Sequence, residues 1–184
     1  MGVTCELSSA NPAHVKLLKA DPRLVDAFLS GEEGDETEGS STWLQRLLRR
    51  KPSVPPEIRA VEDSMRISLD KSWHGLHFLL TGTADEAPLP AGLLLSGGTP
   101  LAGASHLLDP SEVRQCHEYL SDLSDEELAD SYSPERMDEL DIYPGIWSRD
   151  GAEALDDLLA SLEMLRTLLR DCVDEGHGLV ITIE

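Results

Sequence analysis

The most constraining pattern in this 184-residue sequence is an apolar stripe over residues 150–175. Apolar side chains recur there every three or four residues, the spacing of one face of an α-helix. They are Leu155, Leu158, Leu159, Leu162, Leu165, Leu168 and Cys172. Gly176 predicts the helix end, and the β-branched run 179–183 predicts a strand after it. A helix with one apolar face needs a packing partner, so this end of the chain predicts a sheet covered by helices.

Strand and helix signals elsewhere fit the same plan. Residues 3–7 alternate apolar and polar side chains and predict a first strand, which can pair with the last one. Residues 93–101 predict a hairpin around Gly97 and Gly98. A capping residue followed by proline predicts a helix start at four places: Asn11-Pro12, Asp21-Pro22, Asp109-Pro110 and Ser133-Pro134. The predicted fold class is α+β, with a small mixed or antiparallel sheet covered by several helices, of which the C-terminal one is long.

The chain length and composition predict one domain over residues 1–184. Residues 31–41 are acidic and poor in apolar side chains, which predicts a mobile loop. No run of apolar residues is long enough to span a bilayer. Cys5, Cys116 and Cys172 are odd in number and widely spaced, so we expect buried thiols in a reducing, cytoplasmic compartment.

The net charge of −20 excludes the partners that a basic protein would have. An acidic surface repels nucleic acid phosphates and anionic lipids, so neither nucleic acid nor membrane is an expected partner. The charge is concentrated in residues 109–157, which hold sixteen acidic and three basic residues, a net of −13. This region predicts attraction to a basic protein partner.

One segment, residues 70–82, carries polar groups that suit a functional surface. Read as a helix from its first residue, it places Asp70, His74, His77 and Thr81 on one arc of about 60°. Trp73 flanks this stripe. Such a mixture of imidazole, hydroxyl, carboxylate and aromatic groups is typical of pockets rather than of solvated helix faces.

Three interpretations of this segment stay open. In the first, Asp70 only caps the helix and the histidines are satisfied polar groups in a helix seam. In the second, the segment binds a partner or an unknown small molecule. In the third, it carries chemistry: His77 acts as general base or acid, Asp70 orients it, and Lys71 binds an anion. His74 and His77 are also spaced to share a metal ion, but two imidazoles and one carboxylate make a thin ligand set.

Two runs in the sequence resemble the signatures of the YfbM-like family of small bacterial proteins of unknown function. The first comprises Asp70-Lys71, Trp73, Leu76-His77-Phe78 and Leu80-Thr81-Gly82, and the second is 139–145, Glu-Leu-Asp-Ile-Tyr-Pro-Gly. The resemblance covers essentially the whole chain and implies an α+β domain with no assigned reaction. Asp70, Lys71, Trp73, His77, Tyr143 and Pro144 match the family pattern, whereas His74 does not. The departure at His74 weakens the two-histidine metal site, and no metal ligands or cofactor are assigned.

The leading prediction from the sequence is therefore a non-catalytic binding or interaction protein, for example an immunity-type protein that docks a basic partner. The expected binding residues are Asp70, Trp73, His74, His77, Tyr143 and Trp147, with Tyr143 and Trp147 at the mouth of a pocket that contains His77. The alternatives are an enzyme that uses Asp70 and His77 beside Tyr143, and a metal-binding protein.

Overall fold

The computed structural model describes residues 2–30, 58 and 64–184. The predicted acidic loop over 31–41 lies outside these residues. The described strands form one antiparallel sheet of five strands in the order β2-β1-β5-β4-β3. They are β1 (Cys5–Ala10), β2 (Arg66–Asp70), β3 (Thr99–Pro100), β4 (Ser105–Leu108) and β5 (Gly178–Ile183).

Eight α-helices occur in the described residues, together with a short 3-10 helix at Pro22–Leu24. They are α1 (Pro12–Ala20), α2 (Val25–Ser30), α3 (Trp73–Thr81), α4 (Pro110–Asp122), α5 (Asp125–Ser131), α6 (Pro134–Glu139), α7 (Trp147–Asp150) and α8 (Ala152–Glu175). The predicted long C-terminal helix is confirmed, and it ends at Gly176, whose φ of 67° is left-handed. The α+β fold class is likewise confirmed.

The last strand of the chain is the central strand of the sheet. β5 pairs with β1 on one side, from Cys5 opposite Ile183 to Ala10 opposite Gly178. On its other side it pairs with β4. The predicted pairing of the first and last strands is therefore correct, although β1 begins two residues later than expected and runs to Ala10.

Helices cover both faces of the sheet, and each face has its own apolar cluster. The larger cluster packs α3, α4 and α8 against side chains such as Leu7, Leu69 and Ile181. The smaller one packs α1 and α2 against Leu107 and Val180, and Ile58 belongs to it. The α8 side of the sheet thus holds most of the core, including both signature segments.

Two local predictions are wrong. Residues 93–96 form turns rather than a strand, because Leu93 and Leu94 are both fully buried and do not alternate. Thr99–Pro100 pairs instead with Ser105–Leu108, so the hairpin lies further along the chain. Asp70 also ends strand β2 and does not begin a helix, since α3 starts at Trp73.

The three cysteines are free and buried, as expected. Burial raises the pKa of each thiol to about 12, so all three are protonated and unreactive at neutral pH. Within the described residues, no helix combines the length and apolar character that crossing a membrane requires. The compartment expected from the cysteines stays a prediction.

The central position of β5 predicts a difference between two neighbouring isoleucines of that strand. Ile181 is fully buried, whereas Ile183 is only partly buried. Ile181→Ala should lower the free energy of unfolding by about 2–5 kcal/mol, because it leaves a cavity in the core. The matched variant Ile183→Ala should cost clearly less. Urea unfolding of both variants measures these losses. Equal losses in the free energy of unfolding would contradict the deeper burial of Ile181 in the sheet.

Candidate functional site

The second signature segment is docked directly on helix α3, which belongs to the first. The backbone N–H of Tyr143 donates to Nδ1 of His74 at 3.1 Å. The Trp147 ring packs on Gly75 so closely that a Cβ at that position would overlap it. Trp147 Nε1 also donates to the Ile142 carbonyl at 2.7 Å, which fixes the ring relative to the turn at Pro144. The two segments therefore form one unit.

An aromatic stack extends this unit to the N-terminal residues. Trp73 stacks on His74, with ring centroids 4.9 Å apart, and on Tyr143, at 6.3 Å. Trp73 Nε1 donates to the Val3 carbonyl at 3.3 Å, and the Val3 N–H donates to the Tyr143 hydroxyl at 3.0 Å. A Cβ on Gly2 would lie 2.6 Å from Lys71 Cε, so the lysine stem passes beside this stack.

The hydrogen bonds of His74 define which of its ring nitrogens donates and which accepts. Its Nδ1 accepts the Tyr143 N–H, so that nitrogen carries no proton. Its Nε2 therefore carries the proton and donates to the Ala84 carbonyl at 3.1 Å. His74 thus links α3 to two loops, and both of its nitrogens are used on backbone groups.

His77 lies inside the core and is fully enclosed. Its Nε2 contacts the Asp85 carbonyl at 2.8 Å, while its buried Nδ1 has no hydrogen-bond partner. Burial lowers the pKa of His77 below its ordinary value of 6.5, because the charged form loses its hydration. No hydrogen bond joins His77 to Asp70, so the predicted base–orienter pair is not formed.

Asp70 is exposed at the turn between β2 and α3 and has a φ of 44°. Aspartate is one of the few residues with a side chain that tolerates this left-handed conformation. The turn is held by Ser72, whose N–H and hydroxyl both donate to the Leu69 carbonyl, at 3.0 and 2.6 Å. The helical arc drawn from Asp70 therefore fails, because the helix begins three residues later.

A pocket of about 440 Å³ brings the two signature segments together with α8. We call it the signature pocket. Its walls come from the turn after β2, the residues after Tyr143, and one face of α8. It is lined by Ser68, Leu69, Asp70, Lys71, Ser72, Pro144, Ile146, Trp147, Ala154, Asp157, Leu158, Ala160, Ser161 and Met164. Among the residues predicted from sequence, Asp70, Lys71 and Trp147 line it, whereas His77, His74, Trp73 and Tyr143 do not.

Sequence reasoning missed the contribution of α8 to this pocket. Ser161 is buried in the apolar face of that helix, and its hydroxyl lies 2.9 Å from the Ser72 hydroxyl. A lone hydroxyl within an otherwise apolar stripe is the signal that marks this position. Met164 is 44% exposed, which is unusual for a large apolar side chain in this structure.

The charges of the signature pocket are available to a ligand. The charged atoms of Asp70, Lys71 and Asp157 form no ion pair or hydrogen bond with any described residue. The floor beneath them is apolar and includes Trp147 and Leu158. In the described ranges, no group of three or more histidine, cysteine, aspartate or glutamate side chains is placed to hold a metal ion.

A family model described as "Domain of unknown function (DUF1877)" matches residues 1–182 of the chain. The chain belongs to the DUF1877 family. Protein YfbM of Escherichia coli (strain K12) is 29% identical over 130 residues, which cover 64% of this chain and 77% of that protein. The YfbM-like resemblance read from the two signatures is therefore confirmed.

A solved structure shows the same fold. The crystal structure of YfbM from Escherichia coli, titled a protein of unknown function, matches with a TM-score of 0.69. The match covers 98% of this chain and 99% of that chain at 19% sequence identity. At this identity, the likeness shows the DUF1877 fold and carries no site residues.

The contact between Gly75 and Trp147 predicts the sign of one substitution. Alanine is a better helix former than glycine by about 1 kcal/mol, so Gly75→Ala in an open helix would stabilise the protein. Here the added Cβ meets the Trp147 ring, and overpacking of this kind costs about 1–3 kcal/mol. We expect a lower free energy of unfolding in urea. A stabilising effect of about 1 kcal/mol, the value for an open helix, would contradict the docking.

The lowered pKa of His77 predicts a loss of stability in mild acid. The unfolded chain protonates this imidazole as the pH falls below 6.5, while the folded chain resists protonation until a lower pH. The free energy of unfolding therefore does not depend on this group well above pH 6.5, falls as the pH drops below 6.5, and is lower at pH 5.5 than at pH 7.5. His77→Gln keeps a donor for the Asp85 carbonyl but cannot titrate.

Urea unfolding at both pH values tests this. The wild type should lose more stability between pH 7.5 and 5.5 than His77→Gln does. The free energy of unfolding of the variant should still fall somewhat with pH, because burial also lowers the pKa of His106. If the free energy of unfolding changes equally with pH in the two proteins, His77 does not titrate as its burial predicts.

Proposed function

We propose that this chain is a non-catalytic interaction protein that docks a basic partner protein, with the signature pocket as the anchoring point. The observation that carries the proposal is the position of that pocket. Asp70, Lys71 and Pro144, which match the family signatures, meet there beside Trp147. An immunity-type protein that neutralises a basic toxin is one concrete form of this function.

The charge distribution supports a basic partner. Of the sixteen acidic residues in 109–157, twelve are exposed and none is buried. They lie on α4 to α8 and the connections between them, the same side of the sheet as the pocket. Complementary charge of this kind speeds encounter with a basic protein and disfavours acidic competitors.

The pocket has the features of an anchor for a partner side chain. Trp147 and Leu158 give it a rigid apolar floor, and Met164 adds a flexible, polarizable surface at its edge. Asp70 and Asp157 stand at its rim without partners among the described residues. A lysine or arginine can place its apolar stem on such a floor and its charge near the carboxylates.

The alternative functions find less support in the geometry. The enzyme hypothesis needs Asp70 to orient His77, and these residues face different environments without a hydrogen bond between them. The hydroxyls of Ser72 and Ser161 in the pocket bond each other. A metal site on His74 would have to displace the backbone groups that both of its nitrogens now contact. The unbonded Nδ1 of His77 is enclosed in the core.

Site-specific photo-crosslinking in living cells tests the proposal. A photoreactive phenylalanine analogue replaces Met164 at the pocket edge, and a control chain carries it at Lys16 on the opposite face of the sheet. We expect a discrete crosslinked product with a basic protein from position 164 only. Asp157→Asn should reduce its yield about five-fold, because a favourable charge contact is lost.

Asp174→Asn serves as the matched control, since Asp174 is an exposed carboxylate on the same helix that does not line the pocket. This variant should leave the yield within about two-fold of wild type. Identical products from positions 164 and 16, or equal effects of the two Asp→Asn changes, would refute the proposal.

A further inference from the structure

The strand beside the signature pocket has an open edge. β2 lies at the end of the sheet and pairs only with β1 in the described part of the chain. The Met65 carbonyl accepts the Ser9 N–H at 2.8 Å, and Ile67 lies opposite Leu7. Because hydrogen-bonded and non-bonded pairs alternate in antiparallel ladders, the N–H groups of Arg66 and Ser68 point away from β1.

Among the residues that the structure describes, this edge shows none of the usual devices that protect a sheet from added strands. Natural edges carry outward lysines, prolines or covering elements. Arg66 is the one basic residue of β2, and its guanidinium donates to the carbonyls of Leu29 and Phe28, at 2.8 and 3.1 Å. Its charge is therefore held against α2, on the face away from α8.

A groove of about 460 Å³ follows the same edge beneath α8. We call it the edge groove. Its walls include Met65 and Ile67 of β2 and Met164 and Leu168 of α8. Ala160 and Met164 also line the signature pocket, so the two depressions are continuous. Together they extend roughly 20 Å along the strand, the length of about six extended residues.

The charges at the two ends of this groove are mainly negative. Asp70 and Asp157 stand at the pocket end without ion-pair partners among the described residues. Glu163 and Asp171 line the groove further along α8, where they pair with Arg166 at 3.8 Å and with Arg170 at 3.3 Å. Among the described residues, Lys71 is the one basic residue that lines either depression. An occupant with apolar side chains in the middle and cations at its ends therefore matches both the floor and the rim.

We propose that the basic partner docks by adding an extended segment to the outward edge of β2. Its main chain pairs with the N–H and C=O groups of Arg66 and Ser68, and its apolar side chains fill the edge groove. Its lysine or arginine side chains meet the carboxylates at either end. This inference rests on the proposed function and specifies how the same partner is recognised.

A synthetic peptide probes this mode directly. In acetyl-Lys-Thr-Val-Thr-Val-Thr-Lys-amide, valines and terminal lysines share one face of an extended chain. Its binding is followed by fluorescence polarisation and by amide hydrogen exchange of the full chain. We expect exchange of the Arg66 and Ser68 amides to slow on binding, and the Ile67 amide to serve as an unchanged internal control.

Two variants separate the backbone contact from the side chain. Ser68→Pro and Ser68→Ala both lose the hydroxyl that accepts the Asp70 N–H at 3.1 Å, but only proline loses the outward N–H. Peptide affinity should fall about ten-fold in Ser68→Pro and stay within about two-fold in Ser68→Ala. Urea unfolding confirms that both variants fold.

Three outcomes would each overturn the inference. The peptide does not bind, it binds without slowing exchange at Arg66 and Ser68, or a control peptide with glutamates in place of the lysines binds equally well. The crosslink at position 164 separates this failure from that of the proposed function. If Ser68→Pro and Ser68→Ala capture the basic partner equally well, strand addition is wrong and the interaction protein stands. If Asp157→Asn leaves the yield of the crosslinked product unchanged, the proposed function itself is wrong.

Discussion

The pairing of β1 with β5 places the beginning and the end of the described chain in the middle of the sheet. Because β1 is held on both sides, the residues just before it have a fixed position beside α3. Val3 uses that position to bond the Trp73 ring nitrogen and the Tyr143 hydroxyl. The stack of Trp73 with His74 and Tyr143 holds the turn at Pro144 against α3. This turn forms one wall of the signature pocket. The pocket is thus a consequence of how the chain ends meet.

The histidines illustrate how the same residue type serves structure in this fold. His74 and His77 each contact a carbonyl of the loop after α3, at Ala84 and Asp85. His106 does the same for the Leu93 carbonyl at 2.9 Å. Imidazoles that contact loop carbonyls in this way hold those loops in place. The proposed function assigns recognition to the exposed charges of Asp70, Lys71 and Asp157 over an apolar floor.

The sequence predicted the parts of the fold that depend on periodic patterns. The seven-residue stripe gave the long helix α8, and alternation with β-branched residues gave the two paired terminal strands. The edge strand β2 was missed although its five residues alternate polar and apolar side chains, because its last residue, Asp70, was assigned to the helix predicted over residues 70–82. Because the helix was predicted to start at Asp70, the arc of polar side chains was misplaced. The predicted hydrogen bond between Asp70 and His77 was therefore wrong. The meeting of Asp70, Lys71 and Trp147 with Ser161 depends on long-range packing, which no local pattern records.

The central claim is that the two signature segments form one fixed unit and so shape a preformed pocket. Hydrogen exchange of the Tyr143 amide tests this most directly, since that N–H is bonded to the His74 side chain and not to a backbone carbonyl of a helix or strand. At neutral pH, this amide should be protected nearly as well as the amides of β1 and β5, because opening it requires breaking the packed unit. Exchange at the rate of an unstructured chain would show that the segment at Pro144 moves freely and that no preformed pocket exists.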